Sequence, residues 1–111
     1  MAGVSKEAQE KIQRIQLIEQ NAQALLLQKQ QFQSQLFETE SALKELKTAP
    51  KAYKIIGNIM VAADTGALAK ELGERKEIVE LRIASLDKQE QQLKDKAKAL
   101  QEDIMKELQR K

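Results

Sequence analysis

The 111-residue chain has no cysteine, no histidine and no tryptophan, a single proline and four scattered glycines. Without cysteine there is no disulfide framework and no thiolate chemistry. Without histidine the commonest metal ligand and general base is missing. Scattered glycines make no phosphate-cradling loop. Carboxylate neighbours such as Glu102 and Asp103 exist, but a solvated helix face cannot tune them for catalysis. The sequence therefore predicts no enzyme, no metal and no cofactor. Charge is also unconcentrated. The formal net charge is +2, and no block of five or six like charges occurs. Lys94, Lys96 and Lys98, interrupted by Asp95, read as a solvated helix face rather than a nucleic-acid patch. The longest nearly apolar run, Ile55 to Ala63, contains Asn58 and is too short to span a bilayer. No leader-like apolar core opens the chain. A soluble, cytoplasmic protein without membrane or nucleic-acid partners is the expectation.

Aromatic residues are only 3% of the chain, namely Phe32, Phe37 and Tyr53. A compact core draws much of its buried area from such side chains. Here the apolar set is Leu, Ile, Val and Ala spread thinly, which suits helix pairing better than a globule. From about residue 5 to 48 there is no glycine or proline, and Ser5 is positioned as an N-cap. Heptads place Ala8, Ile15, Ala22, Lys29, Leu36 and Leu43 at a, and Lys11, Ile18, Leu25, Phe32, Thr39 and Leu46 at d. Nine of these twelve positions are apolar, a workable coiled-coil seam. Pro50 then removes a donor and drives Ala49 out of helical geometry.

Residues 51 to 65 change character. Tyr53, Ile55, Ile56, Ile59, Met60 and Val61 favour strands, and Gly57-Asn58 between them signals a two-residue hairpin. Clustered β-branched residues and Gly57 argue against a short helix. A lone two-stranded hairpin is marginal in water, so pairing with strands of other chains is expected.

A second helix is predicted over about 66–110, with Asp64 or Thr65 as cap. Leu72, Val79, Leu86, Leu93 and Leu100 repeat every seven residues. The companion positions Ala69, Lys76, Ile83, Glu90, Ala97 and Ile104 are less apolar, so this helix needs a partner with a stronger seam. Six acid-to-base pairs four apart (Glu7–Lys11, Glu40–Lys44, Glu71–Arg75, Glu90–Lys94, Glu102–Lys106 and Glu107–Lys111) predict surface support of about 0.2–0.5 kcal/mol each.

Two arms of nearly equal length, each about 65 Å at 1.5 Å per residue, fold back antiparallel about the connector. Residues near 12–17 should then lie beside residues near 98–105. Off-seam Ile78 and Leu81 are expected to pack near the hairpin. Ile12, Leu17, Met105 and Leu108 are expected to remain open at the far end, where an apolar group suggests a binding surface.

Tyr53-Lys54-Ile55-Ile56-Gly57 followed by Asn58-Ile59-Met60-Val61, between a helix ending near proline and one carrying Leu86-Asp87-Lys88-Gln89-Glu90-Gln91-Gln92-Leu93, resembles the β-type subunits of archaeal prefoldin. The resemblance covers nearly the whole chain. Its hairpin looks like the family's Tyr-Lys-x-x-Gly-x-x-x-Val pattern, although Ala62 to Gly66 departs from the more basic, Thr-rich run expected there. It implies a single mainly-α domain over residues 1–111, in which a long antiparallel coiled-coil hairpin is joined by a β-hairpin that assembles into an intersubunit β-barrel. It implies a hexamer of two α-type and four β-type subunits. It implies ATP-independent holding of unfolded polypeptide at the coiled-coil tips and delivery to a group II chaperonin. On this reading Tyr53, Ile55, Ile56, Gly57, Ile59 and Val61 carry assembly, and Val4, Ala8, Ile12, Ile15, Met105 and Leu108 contact clients. The competing reading is a structural coiled coil, a spacer or dimerisation element without clients. It accounts for the heptads but not for the hairpin. The ten glutamines between Gln9 and Gln35 read by default as a solvated face.

Overall fold

The computed structural model describes Ser5 to Gln109. Helix α1 runs Lys6–Leu46, strand β1 Ala52–Ile56, strand β2 Ile59–Ala63 and helix α2 Thr65–Gln109. Two long helices thus flank one antiparallel β-hairpin. The proposed client residue Val4 lies outside the described residues.

The ends of the elements follow local chemistry. The Ser5 hydroxyl accepts from the Ala8 amide at 3.1 Å, satisfying a first-turn donor that has no partner inside the helix. Of the two candidate caps for α2, Asp64 is the one engaged: its carboxylate accepts from the Ala67 amide at 2.9 Å. After Leu46 the chain makes a tight turn, with the Ala49 amide donating to the Glu45 carbonyl at 3.0 Å. Pro50 prevents any continuation of the helix.

In the hairpin, Ala52 pairs with Ala63, Tyr53 with Ala62, Lys54 with Val61, Ile55 with Met60 and Ile56 with Ile59. Gly57 has φ +60°, and Asn58, which follows it, has no positive φ. This is the type II′ arrangement, whose twist matches that of the flanking strands and which favours glycine at its first central position.

The chain forms two compact units. One, the terminal unit, comprises residues up to Lys29 and residues from Ser85 onward. The other, the hairpin unit, comprises Gln30–Ala84. Within each, α1 and α2 meet along the heptad seam. All twelve assigned seam positions of α1 and all eleven of α2 are buried or half-buried. Ala8, Val79 and Leu86 are the most enclosed, at 1%, 4% and 7% exposed. Thr39 is enclosed too, at 6%. Its hydroxyl donates to the Gln35 carbonyl at 2.7 Å, so a polar residue enters the seam without an unpaired group. Arg82 lies over the Phe32 ring, 5.7 Å from its centroid, a contact of the cation–π type.

Three expectations need correction. Ile78 and Leu81 do not pack against the hairpin; they are 53% and 71% exposed, because they stand on the side of α2 turned away from the seam. Ala8 offers no free surface, because it is a seam residue under the partner helix. Of the six acid-to-base pairs, Glu107–Lys111 reaches a residue outside the described ones; of the other five, Glu90–Lys94 forms an ion pair, at 3.0 Å. Glu40 and Glu71 instead bond to Lys76 at 3.8 Å and Lys54 at 2.9 Å. A residue four positions along competes with any cation that the tertiary fold brings closer.

Candidate functional site

The first candidate surface is the hairpin, within the hairpin unit. Opposed residues of an antiparallel pair share a face. One face therefore carries Tyr53, Ala62, Ile55 and Met60. The other carries Ala52, Ala63, Lys54, Val61, Ile56 and Ile59. A hairpin lying on a core is apolar on the inner face and polar on the outer. This one is apolar on both. Tyr53, Ile55, Ile56, Ile59, Met60 and Val61 are all exposed, Ile55 most of all at 70%. The sheet has only two strands, so each strand also has an unpaired edge, a template for further strands. Lys54 is the polar interruption. Its ammonium bonds both carboxylate oxygens of Glu71 at 2.9 Å, tying β1 to α2. That ammonium holds the Glu71 carboxyl below its ordinary value. The sequence-predicted assembly residues are thus brought together on one element. Met60 belongs with them, opposite Ile55, and strand alternation was the signal that could have found it.

The second candidate surface lies in the terminal unit. Met105 is 57% and Leu108 47% exposed, both in the last turns of α2. Ile12, in the second turn of α1, is half-buried. Ile12 and Leu108 both occupy heptad position e, which flanks position e of the facing helix in an antiparallel pair, and Met105 precedes Leu108 by three residues on α2. Ile15 is half-buried in the seam, and Ala8 is enclosed. The open part of the predicted tip set is therefore Met105 and Leu108 with the edge of Ile12. The expected neighbourhood of 12–17 and 98–105 is present: Leu17 and Ile18 line a groove together with Ala99 and Leu100. The Ser5 hydroxyl also donates to the Glu107 carboxylate.

A charged layer interrupts the seam of the same unit. Lys29, at position a, bonds Asp87 at 2.7 Å and Glu90 at 3.3 Å, while Lys94 bonds Glu90 at 3.0 Å. Hydrogen bonds from Lys94 and then Lys29 hold the Glu90 carboxyl below its ordinary 4.5. Bonds to Asp87 and then Glu90 raise Lys29. A polar group at one seam position fixes register, because any slip strands it against apolar neighbours. Since Glu90 is depressed in the folded state, its contribution is present above its unfolded value and fades as pH falls through the folded one. Glu90→Gln removes that titration. Between pH 7 and about pH 3 the wild type is expected to lose more melting temperature than Glu90→Gln. Equal losses in thermal melts followed by circular dichroism would mean the layer does not couple to stability.

Among the described residues no cluster of three or more acidic, His or Cys side chains could hold a metal, and no helix is long and apolar enough to cross a membrane.

Comparison with known proteins adds to this geometry. A family model described as prefoldin subunit matches residues 9–111. A prefoldin β subunit of Pyrobaculum islandicum is 37% identical over 99% of this chain and 90% of the relative. One from Methanothrix thermoacetophila is 34% identical, over 88% of this chain and 84% of the relative. Among solved structures, the prefoldin β subunit from Thermococcus strain KS-1 superposes with a TM-score of 0.91 at 30% identity, covering 97% of each chain.

Proposed function

This chain belongs to the prefoldin family, among its β-type subunits, and on that premise we propose that it is an ATP-independent chaperone subunit. It assembles with α-type subunits through its hairpin, two α with four β. It holds unfolded polypeptides at the ends of its helix pair and delivers them to a group II chaperonin in the cytoplasm. It performs no catalysis.

The observation that carries this reading is the two-sided apolar hairpin. Six large apolar side chains stand exposed on a two-stranded sheet, far more than a hairpin of that size tolerates alone in water. Strands from neighbouring subunits, closing into a barrel, cover both faces and both edges at once. Assembly then multiplies weak contacts. Met105, Leu108 and Ile12 offer each subunit a small apolar surface. Several such surfaces on one particle hold a client by avidity rather than by a tight pocket, and each releases easily.

The test is suppression of aggregation of a chemically unfolded model protein without nucleotide. The chain is assayed alone and with an α-type subunit, with particle mass measured by light scattering. Suppression by a hexamer-sized particle supports the proposal. A particle no larger than a dimer that suppresses nothing leaves a structural coiled coil as the better account. Ile12→Ser, Met105→Ser and Leu108→Ser combined should weaken holding at least about tenfold, since each full burial contributes about 1.5–3 kcal/mol before ordering costs. Particle mass should not change. A variant that fails to assemble would refute the separation of holding from assembly.

A further inference from the structure

We propose that one flank of the terminal unit is a groove for an extended polypeptide segment in which an apolar residue stands beside an acidic one. This rests on the chaperone reading and gives the held segment a chemistry. Leu17, Ile18, Ala99 and Leu100 floor an apolar depression between α1 and α2, and its two remaining lining residues are Arg14 and Lys96. Leu17 is 57% exposed and stands off the seam, so its open surface is not needed to pair the helices. Both charged lining residues are cations. Among the described residues neither makes an ion pair. Lys96 has no acid three or four residues away on its own helix: those positions hold Gln92, Leu93, Ala99 and Leu100. Arg14 has Glu10 four residues before it on α1 but makes no ion pair with it among the described residues. An apolar depression also lined by two cations complements an apolar side chain flanked by carboxylate.

The groove continues along the same flank. Lys96 also lines the next depression, with Asn21, Gln89 and Gln92 around Ala24 and Leu25. Side-chain amides both donate and accept, which suits the alternating N–H and C=O groups of an extended backbone. Asn21 is seven residues beyond Arg14, about 10 Å along the helix, a span of roughly three residues of extended chain. The segment thus places its apolar residue on Leu17 and Leu100, its acid against Lys96 or Arg14, and its following backbone against the amides. Part of the glutamine and asparagine content of the helices acquires a role in this way.

The experiment uses the full chain, alone and with an α-type subunit, and three fluorescein-labelled peptides. These carry a central leucine flanked by aspartate, serine or lysine, and binding is read by fluorescence anisotropy. The aspartate peptide should bind about three- to tenfold tighter than the serine peptide at low salt, the yield of two exposed ion pairs. The gap should close as salt is raised. Arg14→Glu with Lys96→Glu should invert the order in favour of the lysine peptide, and Leu17→Ser should weaken all three. Equal affinity for the three peptides, or an order unchanged by the double substitution, overturns the groove. Aggregation suppression measured in parallel separates the two claims. A chain that suppresses aggregation without peptide preference overturns this groove alone, and a chain that neither suppresses nor binds overturns both.

Discussion

A chain carrying Ile55→Glu and Val61→Glu is expected to remain a helical particle of monomer mass, 12.6 kDa, under conditions where the wild type assembles. The two positions sit on opposite faces of the hairpin, Ile55 opposite Met60 and Val61 opposite Lys54. The carboxylate introduced by Val61→Glu would face the Lys54 ammonium, so the hairpin itself is spared. What changes is the cost of covering it. Each substitution forfeits the burial of a branched side chain, about 1.5–3 kcal/mol. It also asks an interface to desolvate a carboxylate, which costs several kcal/mol more. Either contribution alone weakens association by about tenfold or more. Light scattering with far-ultraviolet circular dichroism reads mass and helicity together. Ile55→Val serves as control and should assemble. An unchanged mass for the double glutamate variant would remove the hairpin from assembly.

The second large effect is expected in the seam. Leu86→Ala should destabilise the chain by about 2–5 kcal/mol, the range for truncating an enclosed leucine. Leu86 is 7% exposed and Leu27 63%, so Leu27→Ala is expected to cost only about 0.5 kcal/mol or less. The contrast matters because few side chains are enclosed. A stability of about 5–15 kcal/mol resting on a thin seam cannot spread the loss over a deep core. Thermal and denaturant melts of the two variants decide it. Equal losses would mean the seam is not where the helix pair stores its stability.

Much of this was legible in the residues. Heptad spacing places every enclosed position of both helices, because a period near 3.5 leaves one stripe facing the partner whatever lies elsewhere. The cap at Ser5, the stop at Pro50 and the turn at Gly57 are local conformational facts, set within three or four residues. The prefoldin resemblance rested largely on nine hairpin residues, Tyr53 to Val61, and comparison along the whole chain bears it out. Other features depended on partners distant in sequence. Lys29 reads as a defect in the seam until Asp87 and Glu90 arrive from the other helix. Glu40 and Glu71 have cations four residues along, yet Lys76 and Lys54 take them, because a bond across the fold costs no more than one along a helix when geometry is already fixed. Ile78 and Leu81 look destined for burial by composition, but they lie off the heptad stripe, and that phase, readable in the sequence itself, turns them outward.

The elements, the seam and the family are thus written in short-range spacing and could be read without coordinates. The packing of the chain settled the rest: which charges pair, that Met105 and Leu108 stay open, and that Leu17 joins Ala99 and Leu100 in a depression also lined by two cations. Most of those outcomes depend on which face of one helix meets which residue of the other, and spacing along a single helix does not contain that information.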